Sequence, residues 1–318
     1  MQKFNMQDSR FGPELGLELG LEPATESGSV RRRIGQLCLI ALIVVLAGCS
    51  SIRLSYNYGD TLLYWWLDAY VDLDSGQKDR IRKDIDNLFA WHRNTQLKDY
   101  ASLLENAQRQ LQSNPTQAIL LANYDSVKNS TQLVLLKAGP ELAELARSLQ
   151  PDQIASLEKK FASNNEDFRK KFLTGNIEER QRMRYQNTLE KFEQWFGSFS
   201  REQESAIRAA SNARPLDNQL WLDERMLRQK KTIALVRKVQ REKLGQEATM
   251  VLIRDLINDG YAHQDQSEHK AFFDASKDAT AKMVMAVIKM TTPAQKAHVQ
   301  KRMQGWIDDF KSLSIEVR

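Results

Sequence analysis

A short pattern recurs at four places in the chain and constrains its fold more than any other feature of the sequence. Each copy places a capping residue three positions before a glutamine and an aliphatic residue four positions after it. The copies are LDSGQKDRI (73–81), LQPDQIASL (149–157), FSREQESAI (199–207) and TTPAQKAHV (291–299). This is the arrangement of a capping box, in which two side chains satisfy backbone N–H groups at a helix start. The sequence therefore predicts four helices that begin alike.

The quality of the cap differs among the four copies. Asp74, Ser200 and Thr292 are favourable N-caps, whereas Gln150 is a poor one. The glutamines of the pattern lie 76, 50 and 92 residues apart, at Gln77, Gln153, Gln203 and Gln295. These unequal intervals argue against a solenoid of fixed period.

Apolar residues recur at helical spacing between these starts. The spacing is clearest in segments 77–93, 151–172, 178–199 and 293–313, each with one apolar face that must pack against another helix. Glycine (14) and proline (7) are few among 318 residues, and no strand-like alternation is found. We predict an all-α fold, an elongated bundle of many helices behind a cleaved lipoprotein signal peptide.

Short segments of turn residues interrupt the helical pattern. SNPTQ (113–117), AGP (138–140) and LTGN (173–176) are each predicted to end or break a helix. NDGYAHQDQ (258–266) is predicted to be a loop. ARPLD (213–217) is predicted to separate two helical regions that pack together.

The segment RRRIGQLCLIALIVVLAGCSS (31–51) has the order of a bacterial export signal. Its arginines precede an apolar run that is shorter than the ~20 residues of a membrane span. The run ends in LAGC (46–49), which resembles the lipobox of bacterial lipoproteins. The resemblance implies cleavage between Gly48 and Cys49, a diacylglycerol thioether on Cys49 and an acyl chain on its new amino group. Several acyl chains together anchor a protein stably.

The residues around Cys49 also predict a location. Ser50 and Ser51 follow it, and in lipoproteins of this kind serine there directs the protein to the outer membrane. We therefore expect a lipid-anchored protein on the periplasmic face of the outer membrane, with the inner membrane as the alternative. Cys38 is removed with the signal, so no disulfide is expected. No cofactor is predicted apart from the covalent diacylglycerol and acyl (palmitate) chains.

The segment before the signal contains ELGLELGLEP, an acidic repeat of low complexity without aromatic residues. Val30 directly precedes the arginines, and a GTG valine codon can initiate translation. We therefore interpret Val30 as the true start. The predicted division is a mis-assigned or disordered extension (1–29), a signal peptide (30–48), a tether (49–57), an N-terminal helical region (58–213) and a C-terminal helical region (214–318).

The stretch YNYGDTLLYWWLDAYVDLD (56–74) is unusually rich in aromatic residues. Trp65, Trp66 and Tyr70 within it are candidate binding residues. Because the stretch follows the lipid anchor closely, it is consistent with an aromatic belt at the membrane interface. Its interleaved aspartates and its lack of basic residues favour a core helix instead.

Three blocks of sequence resemble an uncharacterised family of proteobacterial lipoproteins. They are YNY…LYWWLDAYVDLDSGQ (56–77), FAWHRNTQLKDYASLL (89–104) and EKFEQWFGSFSREQ (190–203). The resemblance covers most of residues 49–290. It implies a helical, lipid-anchored periplasmic protein with no assigned reaction. The recurring helix starts are also similar to the Leu-Thr-Pro-x-Gln starts of small periplasmic stress chaperones, although capping alone explains them.

No motif of the chain indicates a reaction. It has four histidines, none of which is followed by another at i+4, and it lacks the motifs of serine hydrolases, phosphate-binding loops and zinc peptidases. His92 lies on the apolar stripe of segment 77–93, where a core histidine and a binding or catalytic group are the alternatives. No catalytic residue and no metal ligand is predicted.

The most basic stretch is RMLRQKKTIALVRKVQREK (225–243), with eight positive charges and one negative. Export argues against nucleic acid as its partner. Arg228, Lys231 and Arg237 are therefore candidates for binding phosphates of anionic lipid or lipopolysaccharide. The alternative is a solvated helix face.

These features predict a lipid-anchored periplasmic binding or structural protein of the cell envelope that is not an enzyme. The expected partners are the membrane, through the anchor, and envelope proteins or anionic lipid; the oligomeric state stays open. One alternative is a chaperone-like helical cradle for envelope clients. The other is a hydrolase whose site is dispersed through the fold.

Overall fold

The computed structural model describes residues 51–315, so Gly48, Cys49 and the predicted segments 1–29 and 30–48 lie outside the described residues. Within residues 51–315 the chain forms thirteen helices and no strand. They are α1 Ser51–Asn57, α2 Gly59–Val71, α3 Ser75–Thr95, α4 Leu97–Gln112, α5 Gln117–Lys137, α6 Gly139–Ser148, α7 Pro151–Phe172, α8 Ile177–Phe196, α9 Arg201–Asn212, α10 Asn218–Glu242, α11 Gln246–Gln266, α12 Lys270–Met290 and α13 Pro293–Leu313. The all-α prediction is confirmed.

The described residues divide between two compact units, with the boundary between Leu62 and Leu63. Helix α1 and the first residues of α2 belong to the first unit. All later helices belong to the second, which includes both sides of the 213–217 segment. Among residues 51–315 we find no helix that is both long enough and apolar enough to span a membrane.

Two hydrophobic clusters hold the second unit together. The first cluster joins α2, α3, α6, α7, α10 and α11 through residues that include Val71, Ile81, Leu145, Leu157, Val236 and Ile253. The second cluster joins α4, α8, α9, α12 and α13 through residues that include Leu111, Tyr185, Ile207, Val287 and Val299. Helix α5 packs on α11 and α12.

The four predicted helix starts are the N-termini of α3, α7, α9 and α13. Asp74, Ser200 and Thr292 each accept a hydrogen bond from the backbone N–H of the glutamine three residues later. In all four copies the glutamine Oε1 accepts the N–H of the cap residue, at 2.9–3.0 Å. At the second copy, 149–157, Gln150 donates its own amide to the Ser148 carbonyl. The box at this helix start rests on the Gln153 amide oxygen, which accepts the Gln150 N–H.

The glutamines also pair with one another across the fold. Gln77 Nε2 donates to Gln153 Oε1 at 3.0 Å, and Gln153 Nε2 donates to Gln77 Oε1 at 2.6 Å. Each amide then donates to a backbone carbonyl just before the other helix: Gln77 to Ser148 O, and Gln153 to Asp72 O. Both glutamines are 4 % exposed. Every polar group of the two buried side chains is therefore used, which buried amides require.

The same arrangement occurs a second time between α9 and α13. Gln203 and Gln295 exchange Nε2–Oε1 hydrogen bonds of 2.9 and 3.1 Å. Gln203 also donates to the carbonyl of Met290, and Gln295 to that of Ser198. In both pairs the accepting carbonyl lies two residues before the partner's cap. Each pair therefore joins two helix starts through one pseudo-symmetric set of hydrogen bonds.

The aliphatic residue of each copy connects its helix start to a hydrophobic cluster. Ile81 and Leu157 belong to the first cluster, and Ile207 and Val299 to the second. All four are less than 8 % exposed. One glutamine pair thus lies beside each cluster, and the recurring pattern fixes two cores.

The predicted loop at 258–266 is wrong, because α11 continues to Gln266. Side chains of this segment bind neighbouring helices: Asn258 pairs with Gln132, Asp259 with Lys231, and Asp265 with Lys128. A helix-interior glycine costs only about 1 kcal/mol. These tertiary contacts outweigh that cost at Gly260.

Replacing Gln153 by leucine is expected to lower the free energy of unfolding by about 3 kcal/mol. The change keeps the side-chain volume but leaves the Gln77 amide, the Asp72 carbonyl and the Gln150 N–H without their partner, and unsatisfied buried groups cost about 1–3 kcal/mol each. Urea denaturation followed by circular dichroism measures the loss.

Gln186→Leu is the matched control for this change. Gln186 lies on the exposed surface of α8, so its replacement is expected to change stability by less than about 0.5 kcal/mol. Equal stabilities for the two variants would contradict the structural role of the glutamine pair.

Candidate anion-binding pocket

A cavity of about 390 Å³ opens beside α8 in the second compact unit. Helix α8 contributes one wall, the α9–α10 connection a second, and α12 a third. The lining residues are Phe172, Arg180, Met183, Arg184, Asn187, Thr188, Lys191, Phe192, Arg214, Leu216, Asn218, Thr280 and Met283. Its volume lies in the range of sites for small ligands, about 300–1,000 Å³.

The charges of this lining all have one sign. Arg180, Arg184, Lys191 and Arg214 line the cavity, and no aspartate or glutamate does. None of the four forms an ion pair within the part of the chain that the structure describes. A cationic surface without its own counter-charges attracts anions into a concave site.

Helical spacing brings three of these cations together. Arg180, Arg184 and Lys191 follow one another at intervals of four and seven residues on α8, with Asn187 between them, so they share one face of the helix. The α8 start is itself well defined, because Asn176 and Glu179 form a capping box. Arg214 enters from the short connection that follows α9.

Arg184 is held in position but is incompletely satisfied. Its Nη1 donates to the Pro215 carbonyl at 2.9 Å. Its Nε and Nη2 are buried, and so is Arg214 Nε; none of the three has a hydrogen-bond acceptor among residues 51–315. Arg214 Nη1 reaches only the Met283 sulfur, at 3.9 Å. Buried donors without acceptors are rare in folded proteins, and a group that lacks one calls for an ordered water, a ligand or a functional reason.

The charged forms of both arginines are destabilised in this pocket. Burial and, to a lesser extent, the nearby positive charge of Arg214 together lower the pKa of Arg184 to about 10. Burial likewise lowers the pKa of Arg214. A bound anion would relieve both penalties, since guanidinium groups hold phosphate and carboxylate through charge-assisted, bidentate hydrogen bonds.

The pocket offers binding groups rather than proton-transfer groups. No histidine, cysteine, aspartate or glutamate is among its lining residues. Within residues 51–315, no three such side chains come together in a way that could hold a metal ion. The arrangement can therefore hold an anion, and its lining supplies no imidazole, thiol or carboxylate as a general base beside it.

A family model described as a family of unknown function (DUF6279) matches residues 69–261. This range is more than half of the 318 residues. The chain belongs to the DUF6279 family. The predicted resemblance to an uncharacterised family is confirmed, whereas proteobacterial origin and lipid anchoring stay predictions. No curated protein and no solved structure matches the chain.

The matched region contains most of the pocket. All lining residues except Thr280 and Met283 lie within residues 69–261 of this DUF6279 member. Sequence reasoning missed the site. The interval Arg180–Arg184–Lys191 was the available signal, but the apolar stripe of the same helix gave the stronger pattern. Nothing in the sequence placed Arg214 opposite that face.

The predicted aromatic residues lie elsewhere, on α2. Tyr70 and Trp66 contact each other in a tilted arrangement with ring centroids 4.5 Å apart, and Tyr70 meets Phe161 edge-on at 5.9 Å beside the first cluster. Asn164 donates to the Tyr70 hydroxyl at 2.6 Å. Trp65 points away and is 53 % exposed. Two of the three candidates therefore contribute to packing, while Trp65 contacts solvent.

The predicted basic residues of α10 are also outside the pocket. Lys231 pairs with Asp259 at 2.5 Å, and Arg237 with Glu158 at 2.8 Å. Burial lowers the pKa of Arg228, while the negative charge of Glu224 opposes that shift. The structure thus supplies carboxylates to this face, in contrast to the pocket.

His92 lies on α3 and contacts Tyr100 of α4. Its Nε2 is 3.2 Å from the Tyr100 hydroxyl, and the two rings meet edge-on at 5.2 Å. Burial lowers the pKa of His92 from 6.5 to about 4. The imidazole is therefore neutral at physiological pH and belongs to an aromatic contact that continues to Phe310.

His92 is expected to make the fold sensitive to acid. Between pH 6.5 and about 4 the unfolded chain binds a proton that the folded chain does not, so stability falls as the pH is lowered through this window. The contribution is lost progressively and amounts to about 3 kcal/mol at most, from 1.36 kcal/mol per pKa unit.

Urea denaturation at several pH values, on the parent chain and on His92→Gln, measures this effect. As the pH falls, the parent chain is expected to lose more free energy of unfolding than His92→Gln. The difference in stability between the two proteins therefore shifts in favour of the variant. If both proteins lose stability in parallel across the window, His92 is not the titrating group.

Proposed function

We propose that this chain is a lipid-anchored, non-catalytic binding protein of the cell envelope, and that the α8 pocket binds its anionic ligand. The observation that carries the proposal is the pair Arg184 and Arg214 in a cavity without carboxylates: the buried Nε and Nη2 of Arg184 and the Nε of Arg214 lack acceptors among the described residues. A fold keeps such unfavourable charges where a ligand compensates for them.

The cellular location of the protein is proposed from its sequence. The LAGC motif at 46–49 and the serines that follow it support a lipid anchor at the periplasmic face of the outer membrane. In that location, anionic lipid, lipopolysaccharide and soluble phosphate esters are all available to a cationic pocket. Envelope proteins stay proposed partners, and only the proposed location supports them.

The pocket is a better candidate than the basic face of α10. Exposed ion pairs such as Arg237–Glu158 leave that face with less uncompensated charge. In the pocket, the four cations have no carboxylate beside them, and the buried Nε and Nη2 of Arg184 and Nε of Arg214 have no acceptor within residues 51–315. We therefore assign anion binding to Arg184 and Arg214 first.

The double variant Arg184→Gln/Arg214→Gln is expected to weaken binding of inorganic phosphate by tenfold or more. Hydrogen bonds to charged groups contribute about 1.5–3 kcal/mol, and about 1.4 kcal/mol is a factor of ten. Isothermal titration of the full chain in a non-ionic detergent at neutral pH and fixed ionic strength measures the dissociation constant. The thermal midpoint of the unliganded variant is expected to stay the same or rise, because two desolvated like charges are removed.

Arg237→Gln/Arg241→Gln is the matched control, with the same loss of charge on α10. It is expected to change phosphate binding by less than twofold. A loss of binding only in this control would move the site to the basic face of α10. Absence of phosphate binding to the parent chain would refute an anion pocket.

The proposed anchor has its own matched pair of variants, because the chain contains two cysteines, Cys38 and Cys49. Cys49→Ser is expected to abolish labelling by radioactive palmitate and to release the protein from the membrane fraction. Cys38→Ser is expected to leave both unchanged, since that residue precedes the cleavage site. If Cys49→Ser stays in the membrane fraction as the parent does, the proposed location is contradicted.

A further inference from the structure

The cationic pocket also has an extensive apolar lining. Phe172, Met183, Phe192, Leu216 and Met283 contribute to it, and Met283 is only 4 % exposed. On α8 the row of Arg180, Arg184 and Lys191 is flanked by Met183 on one side and Phe192 on the other, by helical spacing. A ligand on the cations therefore contacts apolar side chains as well.

The volume of the cavity exceeds what a small inorganic anion fills. Liquid water occupies about 30 Å³ per molecule, and a phosphate ion is a few times larger. The cavity holds about 390 Å³. Specific ligand sites typically combine an apolar lining with a few polar groups that fix orientation. The remaining volume beside the cations is therefore suited to an apolar group.

The amount of positive charge favours phosphate over carboxylate as the charged group. Four cations line the cavity without a carboxylate. A phosphate monoester carries about −1.5 to −2 charges at neutral pH, whereas a carboxylate carries one. The Asn187 amide adds a neutral donor on the same face of α8.

We propose that the ligand of this pocket is an amphiphilic phosphate monoester, with its phosphate on Arg184 and Arg214 and its apolar body against Met183, Leu216 and Met283. This inference rests on the anion-binding function proposed above and adds the ligand class. It assigns Leu216 and Met183 as specificity-determining residues.

Three ligands test the inference against the full chain by titration calorimetry at neutral pH and constant ionic strength. Inorganic phosphate measures the head alone, butyl phosphate adds an apolar body, and glycerol phosphate adds a polar body of similar size. Butyl phosphate is expected to bind at least tenfold more tightly than inorganic phosphate, because each fully buried methylene contributes about fourfold, or 0.8 kcal/mol. Glycerol phosphate is expected to bind within about threefold of inorganic phosphate, since its hydroxyls gain nothing from that lining.

Variants of the apolar lining separate this inference from the function on which it rests. Leu216→Ser is expected to remove most of the advantage of butyl phosphate while inorganic phosphate binding stays within about twofold. Val251→Ser, on the exposed face of α11, is the matched control and is expected to change neither. Circular dichroism and the thermal midpoint check that each variant folds.

The outcomes are distinguishable. If all three ligands bind with equal affinity and Arg184→Gln/Arg214→Gln abolishes binding, the pocket binds anions but the amphiphile is refuted. Tighter binding of glycerol phosphate than of butyl phosphate refutes it as well. If no ligand binds to the parent chain, both the inference and the proposed function fail.

Discussion

The reciprocal hydrogen bonds between paired glutamines are the interaction on which the rest of the structure depends. A glutamine at the third position of a helix caps its own start through its amide oxygen, and both of its amide N–H groups stay available to donate. In this fold one of them joins two distant helix starts, Gln77 to Gln153 and Gln203 to Gln295. A misplaced partner would leave several polar groups unsatisfied, buried at Gln77–Gln153 and partly buried at Gln203–Gln295. Each pair therefore accepts one arrangement of its helices and excludes others that bury similar apolar area.

Local physics made the helix starts predictable, but not their pairing. Capping depends on residues within one turn, so Asp74–Gln77 and Thr292–Gln295 could be read from the sequence. The partner of Gln77 lies 76 residues away, and spacing along the chain carries no information about contact in space. The predicted loop at 258–266 failed for the same reason. Its glycine and polar residues are typical of a loop, and only contacts with α5 and α10 show why they are helical.

The candidate pocket was harder to predict than the fold because the property that marks it is a lack of carboxylates around its cations. Basic residues on a helix are usually solvated or paired, and Lys231 and Arg237 on α10 illustrate the paired case. Arg180 and Arg184 are likewise basic residues on one helix, α8. What distinguishes them is the absence of carboxylates among the described residues around the cavity, together with burial of Arg184 and Arg214. Neither property can be read from a single helix.

The glutamine pairs and the pocket are connected through the second cluster. Helix α8, which carries Arg184, packs against α9 and α13, and Gln203–Gln295 joins the starts of those two helices. Phe192 lines the pocket and also packs on the second cluster. A cationic face braced in this way cannot move its charges apart to solvate them without disturbing a core. The fold therefore maintains Arg184 and Arg214 close together before any anion arrives, and the cost of assembling the site is met during folding rather than during binding.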